Sequence, residues 1–535
     1  MIGAAAIAAP ARPVYAFGVL RAPTDDGLGL RLLVERAGRE FPSRRIVTRI
    51  SGGTTELTYD EFGRRVRRLA SALRARGIGE GDRVATFAWN THRHLELAFA
   101  VPCLGAVLET LNVRFATSEV ERLLERSSPR LLFFDDDLLD RAPGVPDGTD
   151  PVVLANAYDE LLASGSESFE LPVLDELLPA TACYTSSTTG APKCVEYSHR
   201  SLVLGALVLN QPGVAPLHET DRVLPIVSLF HANAWGFPLA AMLSGADLVL
   251  PGAHPTSEEI ARLIESERVT KAAAVPTVFD ALLDVGGADL SSLTEIYCAG
   301  AVPPQALTRA FEERFGVQLV HAWGMTETCF FGLVSRTDDL ALRAAQGRAV
   351  PLLETRLAAN GELEVHGPAV AGAYRERDDS ARYTPDGWLR TGDVAIVASD
   401  RFLRLVDRLQ DTIKSGGEWI HSLALELLIS EVEGVEEVAV VPISDSRYGE
   451  RPYAFVVMHA GRTLDADLLR EHLAGHVPAW WIPDLVELVD SLPRTGTGKV
   501  DKRALRASLT EEHARRRVPL RDVRRGGRKQ RVGDR

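Results

Sequence analysis

The residues from Tyr184 to Lys193 read YTSSTTGAPK, which places hydroxyls at Thr185, Ser186, Ser187, Thr188 and Thr189 ahead of Gly190 and Lys193. In a tight turn, backbone N–H groups and such hydroxyls can wrap phosphate oxygens, and a lysine adds a mobile positive charge. The glycine spacing is not that of the GxxxxGK[ST] loop of common NTPases. By itself a Ser/Thr-rich turn reads at least as readily as a polar surface loop, so its meaning rests on the company it keeps. That company is ordered along the chain: HANAW at 231–235, WGMTET at 323–328, TGD at 391–393, DRLQDTIKSGGEWI at 407–420 and PRTGTGKVDK at 493–502.

These motifs need a scaffold that presents loops. From Thr58 to Gly77, Thr58 and Glu61 make a capping-box pattern, and Phe62, Val66, Leu69 and Leu73 recur at helical spacing, which predicts an amphipathic helix. Short apolar runs at Val84–Ala88, Leu131–Phe134, Val223–Phe230, Ala246–Leu250, Lys271–Phe279 and Gln318–Ala322 read as strands. Helical patterns such as Glu258–Glu267 and Gln305–Phe315 fall between them. Alternating strands and helices predict α/β layers, with chemistry on the loops at strand ends. After about residue 400 the units shorten, with a hairpin-like stretch at Ile396–Val406, a helix from about Leu423, strands near Val438–Pro442 and Ala454–Met458, and a helix at Asp465–Leu473. The division expected is a large multi-layer α/β domain over 1–408, a small mobile α+β domain over 409–514, and a basic, disordered tail over 515–535.

Composition narrows the function. The 535 residues carry a net charge of −13, which argues against a polyanionic partner such as nucleic acid. Cys103, Cys183, Cys194, Cys298 and Cys329 form no CxxC pair, so neither a zinc site nor a dithiol is expected. No apolar run reaches the length of a membrane span, and the opening MIGAAAIAAP has no basic segment before it, so a cytoplasmic location is expected.

Taken together, the five ordered motifs and the phosphate loop resemble the acyl-CoA synthetase branch of the adenylate-forming superfamily. FAWNTHRHLELAFAVPCLGAVLETLN at 87–112 is similar to medium- and long-chain acyl-CoA ligases. The resemblance implies ATP, Mg²⁺ and CoA as cofactor and co-substrates, with a carboxylic acid activated as acyl-AMP and passed to CoA. It also implies a homodimer. An anionic oxygen attacking the α-phosphate requires positive charge where charge builds up, and the resemblance gives this task to Lys499. Glu327 matches the position that holds the magnesium, Thr326 the neighbour that contacts the AMP phosphate, and Trp323 an aromatic that packs on adenine. Gly300, Ala301, Ala322, Gly324 and Met325 complete the nucleotide and acyl borders. Asp393 corresponds to the ribose ligand, with Arg408 beside it, and Gln410 to the hinge of the small domain. Lys414, Gly416, Gly417 and Trp419 lie on the acceptor route, and His231 and Trp235 match the wall and gate of the acyl tunnel. His231 stands where amino-acid-activating relatives place an acid, which disfavours a peptide-synthetase-like role.

Relatives usually carry glycine at the positions of Ser187 and Cys194, so side chains there are expected to narrow the phosphate loop. Phe330 and Phe331 are expected to shorten the acyl pocket, or else to point into the core. Two alternatives share the same machinery. One is an ATP-dependent diazotase activating nitrite for an aryl amine; the other loads an acyl group onto a carrier protein.

Overall fold

Thr58 starts a helix because its hydroxyl accepts from Glu61 N at 3.1 Å while Glu61 Oε2 accepts from Thr58 N at 2.8 Å. The helix runs Tyr59–Ala75 and buries Phe62, Val66, Leu69 and Leu73 completely. Each such side chain contributes roughly 1.5–3 kcal/mol to the core. The computed structural model describes residues 27–185, 192–343, 345–372, 374, 380–494, 500–509 and 517–519.

Two largely parallel sheets frame the large domain. One has nine strands, in the order Arg348–Ala349, Leu333–Ser335, Gln318–Trp323, Glu295–Cys298, Lys271–Ala274, Arg222–Pro225, Asp247–Leu250, Arg45–Ile50 and Gly53–Thr58. The other has six, in the order Asp150–Val153, Leu131–Phe134, Arg83–Phe87, Val107–Thr110, Pro179–Tyr184 and Cys194–Ser198. Side chains alternate across each strand, and the cores record it. Ile46, Val223, Leu248, Ala273 and Val320 join the central cluster with residues of the six-stranded sheet such as Val84 and Leu108. Their neighbours Val47, Leu224, Val249, Ala272 and Leu319 face an outer helical layer. The helices Leu30–Glu40, Tyr59–Ala75, His199–Leu209 and Phe237–Ser244 therefore lie between the sheets, and their buried residues belong to the same central cluster. The fold is α/β, as expected.

Some runs stop earlier than their composition suggests. Lys271–Phe279 is a strand only to Ala274, because Pro276 opens the helix Pro276–Leu283 with its fixed φ at the first helical position. Val223–Phe230 is a strand only to Pro225; beyond it Ile226 and Val227 still donate to Ala273 O as the chain turns away.

Residues 396–406 belong to an antiparallel sheet of four strands, Glu354–Leu357, Glu362–His366, Leu389–Val397 and Leu403–Arg408. The small domain follows, with the hairpin Ile413–Ser415 and Glu418–Ile420, the helix Ser422–Ser430, the long antiparallel pair Val435–Asp445 and Gly449–Met458, and the helix Ala466–His476. No helix among the described residues is long and apolar enough to cross a membrane.

Candidate active site

The phosphate-loop hairpin is closed at its neck by two bonds. Thr185 N donates to Lys193 O at 2.9 Å, and Lys193 N donates to Thr185 Oγ1 at 3.1 Å. Ser186, Ser187, Thr188, Thr189 and Gly190 lie outside the described residues. Cys194 opens the return strand and is 1% exposed, packed in the core on the outer face of the six-stranded sheet. Its side chain is turned into that core.

From this hairpin, contacts run to WGMTET. Tyr197 Oη donates to Thr326 O at 2.7 Å. Val195 bridges Tyr374, whose hydroxyl donates to Glu327 Oε1. The Lys193 ammonium lies 4.7 Å from the centre of the Tyr374 ring, a cation–π approach. Burial, together with the Glu327 carboxylate, raises the Tyr374 phenol above its usual range, so it stays a donor. Tyr374 was not singled out in the sequence; an aromatic 47 residues from its partner gives no local signal.

Gly324 has to be glycine, since a Cβ there would sit 2.2 Å from Phe330 O. The tight turn that follows is fastened by Thr328 Oγ1, which accepts from Met325 N at 3.0 Å and donates to Phe330 O at 3.0 Å. Ala322 is buried behind it, while Gly300, at φ +89°, and Ala301 lie exposed beyond the strand Glu295–Cys298. Cys329 takes φ 70° and ψ −60°, a strained γ-turn for a residue with a side chain. Trp323 ends its strand with 8% exposure, and its indole N–H donates to Asp393 Oδ2 at 3.0 Å. Arg408 Nε reaches the other Asp393 oxygen at 2.7 Å. Trp323, Asp393 and Arg408 thus form one continuous wall.

The segment after His231 is unusual. Ala232, Asn233, Ala234 and Trp235 have φ of 38°, 44°, 55° and 53°, and Gly236 continues at 78°. A left-handed turn of residues with a Cβ costs roughly 1–2 kcal/mol per residue. Asn233 fixes it, accepting from Thr181 Oγ1 at 2.6 Å and donating to Leu229 O at 3.2 Å. The turn presents Trp235 to Phe331, ring centres 5.7 Å apart, and Phe331 packs on Phe237 at 6.1 Å. Phe330 lies between two glycines. A Cβ at Gly205 would come within 2.7 Å of its ring, and one at Gly236 within 2.4 Å. The void bordered by Phe330, Phe331, Leu204, Val208 and Val214 measures about 30 Å³.

The small-domain residues form a second group. Lys414 pairs with Trp419 across the hairpin, its ammonium 5.6 Å from the ring. Gly416 and Gly417 turn at φ 61° and 92°, and Gly416 N donates to Tyr448 O at 2.7 Å. Gly416 also borders a cleft of about 560 Å³ with Tyr448, Arg451 and Trp480. Gln410 is exposed in the turn between Arg408 and Ile413. Just before it, Asp407 is 4% exposed and accepts from Ser422 N and from Ser422 Oγ, the latter at 2.8 Å. Burial raises its carboxyl to about 6, against the pull of Lys502, whose ammonium bonds Ser422 Oγ at 2.8 Å and Glu426 at 2.7 Å. Lys499 lies outside the described residues.

Residues 34–375 match the AMP-binding enzyme family, and residues 424–499 match the AMP-binding enzyme C-terminal domain. The chain belongs to the AMP-binding enzymes. This enzyme is 37% identical to a long-chain-fatty-acid–CoA ligase of Thermus thermophilus, over 90% of this chain and 96% of the relative. It is 35% identical to a medium-chain-fatty-acid–CoA ligase of Ectopseudomonas oleovorans, with 89% and 94% covered. A feruloyl-CoA synthase of Amycolatopsis is also 35% identical, with 86% and 95% covered. Among solved structures, o-succinylbenzoate CoA synthetase of Bacillus subtilis with ATP and magnesium superimposes with a TM-score of 0.78 at 25% identity, over 89% of this chain and 99% of the other. The AMP-binding enzyme described here is an ATP-dependent, AMP-forming acid–CoA ligase that works through an acyl-AMP intermediate. The diazotase and carrier-loading expectations gain no support from these relatives.

Glu327 offers a buried carboxylate beside the phosphate hairpin, and among the described residues no group of three or more His, Cys, Asp or Glu is arranged around a metal. A single carboxylate fits Mg²⁺, which binds through one or two carboxylates, phosphate oxygens and water.

Proposed function

We propose that this ligase activates a short or aromatic carboxylic acid. Phe330 is the observation that carries the reading. Its ring fills the space between Gly205 and Gly236, and in this reading an acyl chain extending from Thr326 would run into that space. The bordering void holds about two waters' worth of volume, too little for an alkyl chain. That one relative is a feruloyl-CoA synthase supports an aromatic acid.

In this reading the substrate carboxylate attacks the α-phosphate, forming the acyl–phosphate bond as pyrophosphate leaves. The CoA sulfur then attacks the acyl carbon and AMP departs. Lys499 neutralises charge at the α-phosphorus. Thr185, Lys193 and the hydroxyls between them hold the phosphates, and Glu327 would hold Mg²⁺, which would supply charge neutralisation there. Asp393 and Arg408 bind ribose, with Trp323 bracing Asp393. His231 and Trp235 line the acyl pocket. The small domain, from residue 409 on, turns about Gln410 to bring the Lys414–Trp419 hairpin to the site, where Gly416 and Gly417 give the pantetheine arm room. The enzyme works as a cytoplasmic homodimer.

CoA-dependent AMP release, measured across straight-chain acids of rising length and across benzoate-type acids, tests the substrate class. Efficiency should fall beyond short chains and be high for a planar aryl acid. A steady climb of about fourfold in kcat/KM per added methylene, the value of burying one in an open tunnel, would refute it.

A further inference from the structure

We infer that Arg382 is an additional cation of the polyphosphate site, gripping the pyrophosphate portion of ATP and the pyrophosphate that leaves. The residue closes the short turn Ser380–Arg382 and brings its guanidinium against the Glu327–Tyr374 pair. Its Nη2 lies 3.7 Å from Glu327 Oε1, close enough for charge attraction and too far for a hydrogen bond. Its carbon centre lies 5.9 Å from the Tyr374 ring, the same ring that the Lys193 ammonium approaches at 4.7 Å.

Two of its nitrogens, Nε and Nη2, are closed off from solvent and have no hydrogen-bond partner among the described residues. A guanidinium is permanently charged and its donors form a rigid fork suited to phosphate oxygens. Leaving buried donors of that kind unpaired is costly, so the arrangement is complete only when acceptor oxygens arrive. Among the described residues, Lys193 at the neck of the phosphate hairpin and Arg382 bring two positive charges to the two sides of the Glu327–Tyr374 pair. A polyphosphate supplies both the oxygens and the negative charge. AMP, whose phosphate carries less of both and is bound beside Thr326, would not need Arg382. The inference rests on the hairpin being a phosphate site.

The test is calorimetric titration of the full-length protein with pyrophosphate, ATP and AMP separately, each with and without Mg²⁺. Wild type is compared with Arg382→Met and Arg382→Lys. Arg382→Met should weaken pyrophosphate and ATP about 10- to 100-fold, the range for losing charge-assisted hydrogen bonds, in both metal conditions. AMP affinity should stay within about twofold, which also shows that the variant is folded, and Arg382→Lys should recover part of the loss. Unchanged pyrophosphate affinity would overturn the inference. So would equal weakening of AMP, or a loss seen only with Mg²⁺, which would make Arg382 a positioning residue for Glu327. Failure of wild type to bind any of the three would instead sink the nucleotide-site reading itself.

Discussion

Phe330 and Gly205 should behave as one unit. Gly205 lies inside the helix His199–Leu209, where replacing glycine by alanine ordinarily stabilises by about 1 kcal/mol. Here the new Cβ would sit 2.7 Å from the Phe330 ring, so the ring or the helix must move, and such overpacking costs about 1–3 kcal/mol. Gly205→Ala alone should therefore be neutral to about 2 kcal/mol destabilising. Phe330→Ala alone removes a ring that is 4% exposed and should cost about 3–5 kcal/mol. In the double variant the Cβ meets no ring, so the helix gain of about 1 kcal/mol returns and the cavity is partly refilled. The expected coupling is about 1–3 kcal/mol in favour of the double variant. Urea unfolding of the four proteins, followed in the large domain's transition, measures it. Gly236→Ala serves as a control: its φ of 78° stays unfavourable without the ring, so Phe330→Ala should rescue it only in part. If Gly205→Ala and Phe330→Ala add within about 0.5 kcal/mol, the two groups are not in contact and the wedged ring is wrong.

Further outcomes follow from the site. Lys499→Ala should slow adenylation by ~10²–10³ while sparing thioester formation from supplied acyl-AMP; near-normal pyrophosphate exchange would remove it from its role. Glu327→Gln should raise the Mg²⁺ requirement, whereas Asp393→Ala should weaken nucleotide binding, and titrations in which both dependences stay unchanged would break the site map. Asp135 is held at about 7 by burial, against a hydrogen bond of 2.6 Å from Trp89 N. Because its folded value is raised, the folded state binds the proton more tightly, and its contribution is complete below pH 4 and lost as pH rises to 7. Asp135→Asn should remove that decline, about 1.4 kcal/mol or less per pH unit across the window. Parallel stability–pH curves for wild type and variant would exclude it.

What could be read from the sequence was local or came in ordered motifs. Thr58 and Glu61 announce their helix because both halves of the cap lie within one turn. Asp393 and Arg408 were named from short motifs, and the strands that carry them are antiparallel neighbours in register. Tyr374 and Arg382 were not legible, since each gains its meaning from Glu327, 47 and 55 positions away. The left-handed turn at 232–235 was equally hidden: it contains no glycine, and its hold is the side chain of Asn233 on Thr181. The apolar run Lys271–Phe279 misled because composition continues smoothly across Pro276 while the backbone changes from strand to helix.

Asp407 and Arg408 are consecutive on one strand and point to opposite sides, as strand neighbours do. Arg408 holds Asp393 in the large domain, whereas Asp407 holds Ser422 in the small one, with Lys502 behind it. In the proposed swing about residue 410, Asp407 stays behind with its strand, so the bonds to Ser422 would part and a buried carboxylate would meet water. Domain travel on such a mount has a detent. Under the proposed rotation the small domain would rest in a discrete position rather than drift through a continuum, and unclicking it would be a step with its own barrier.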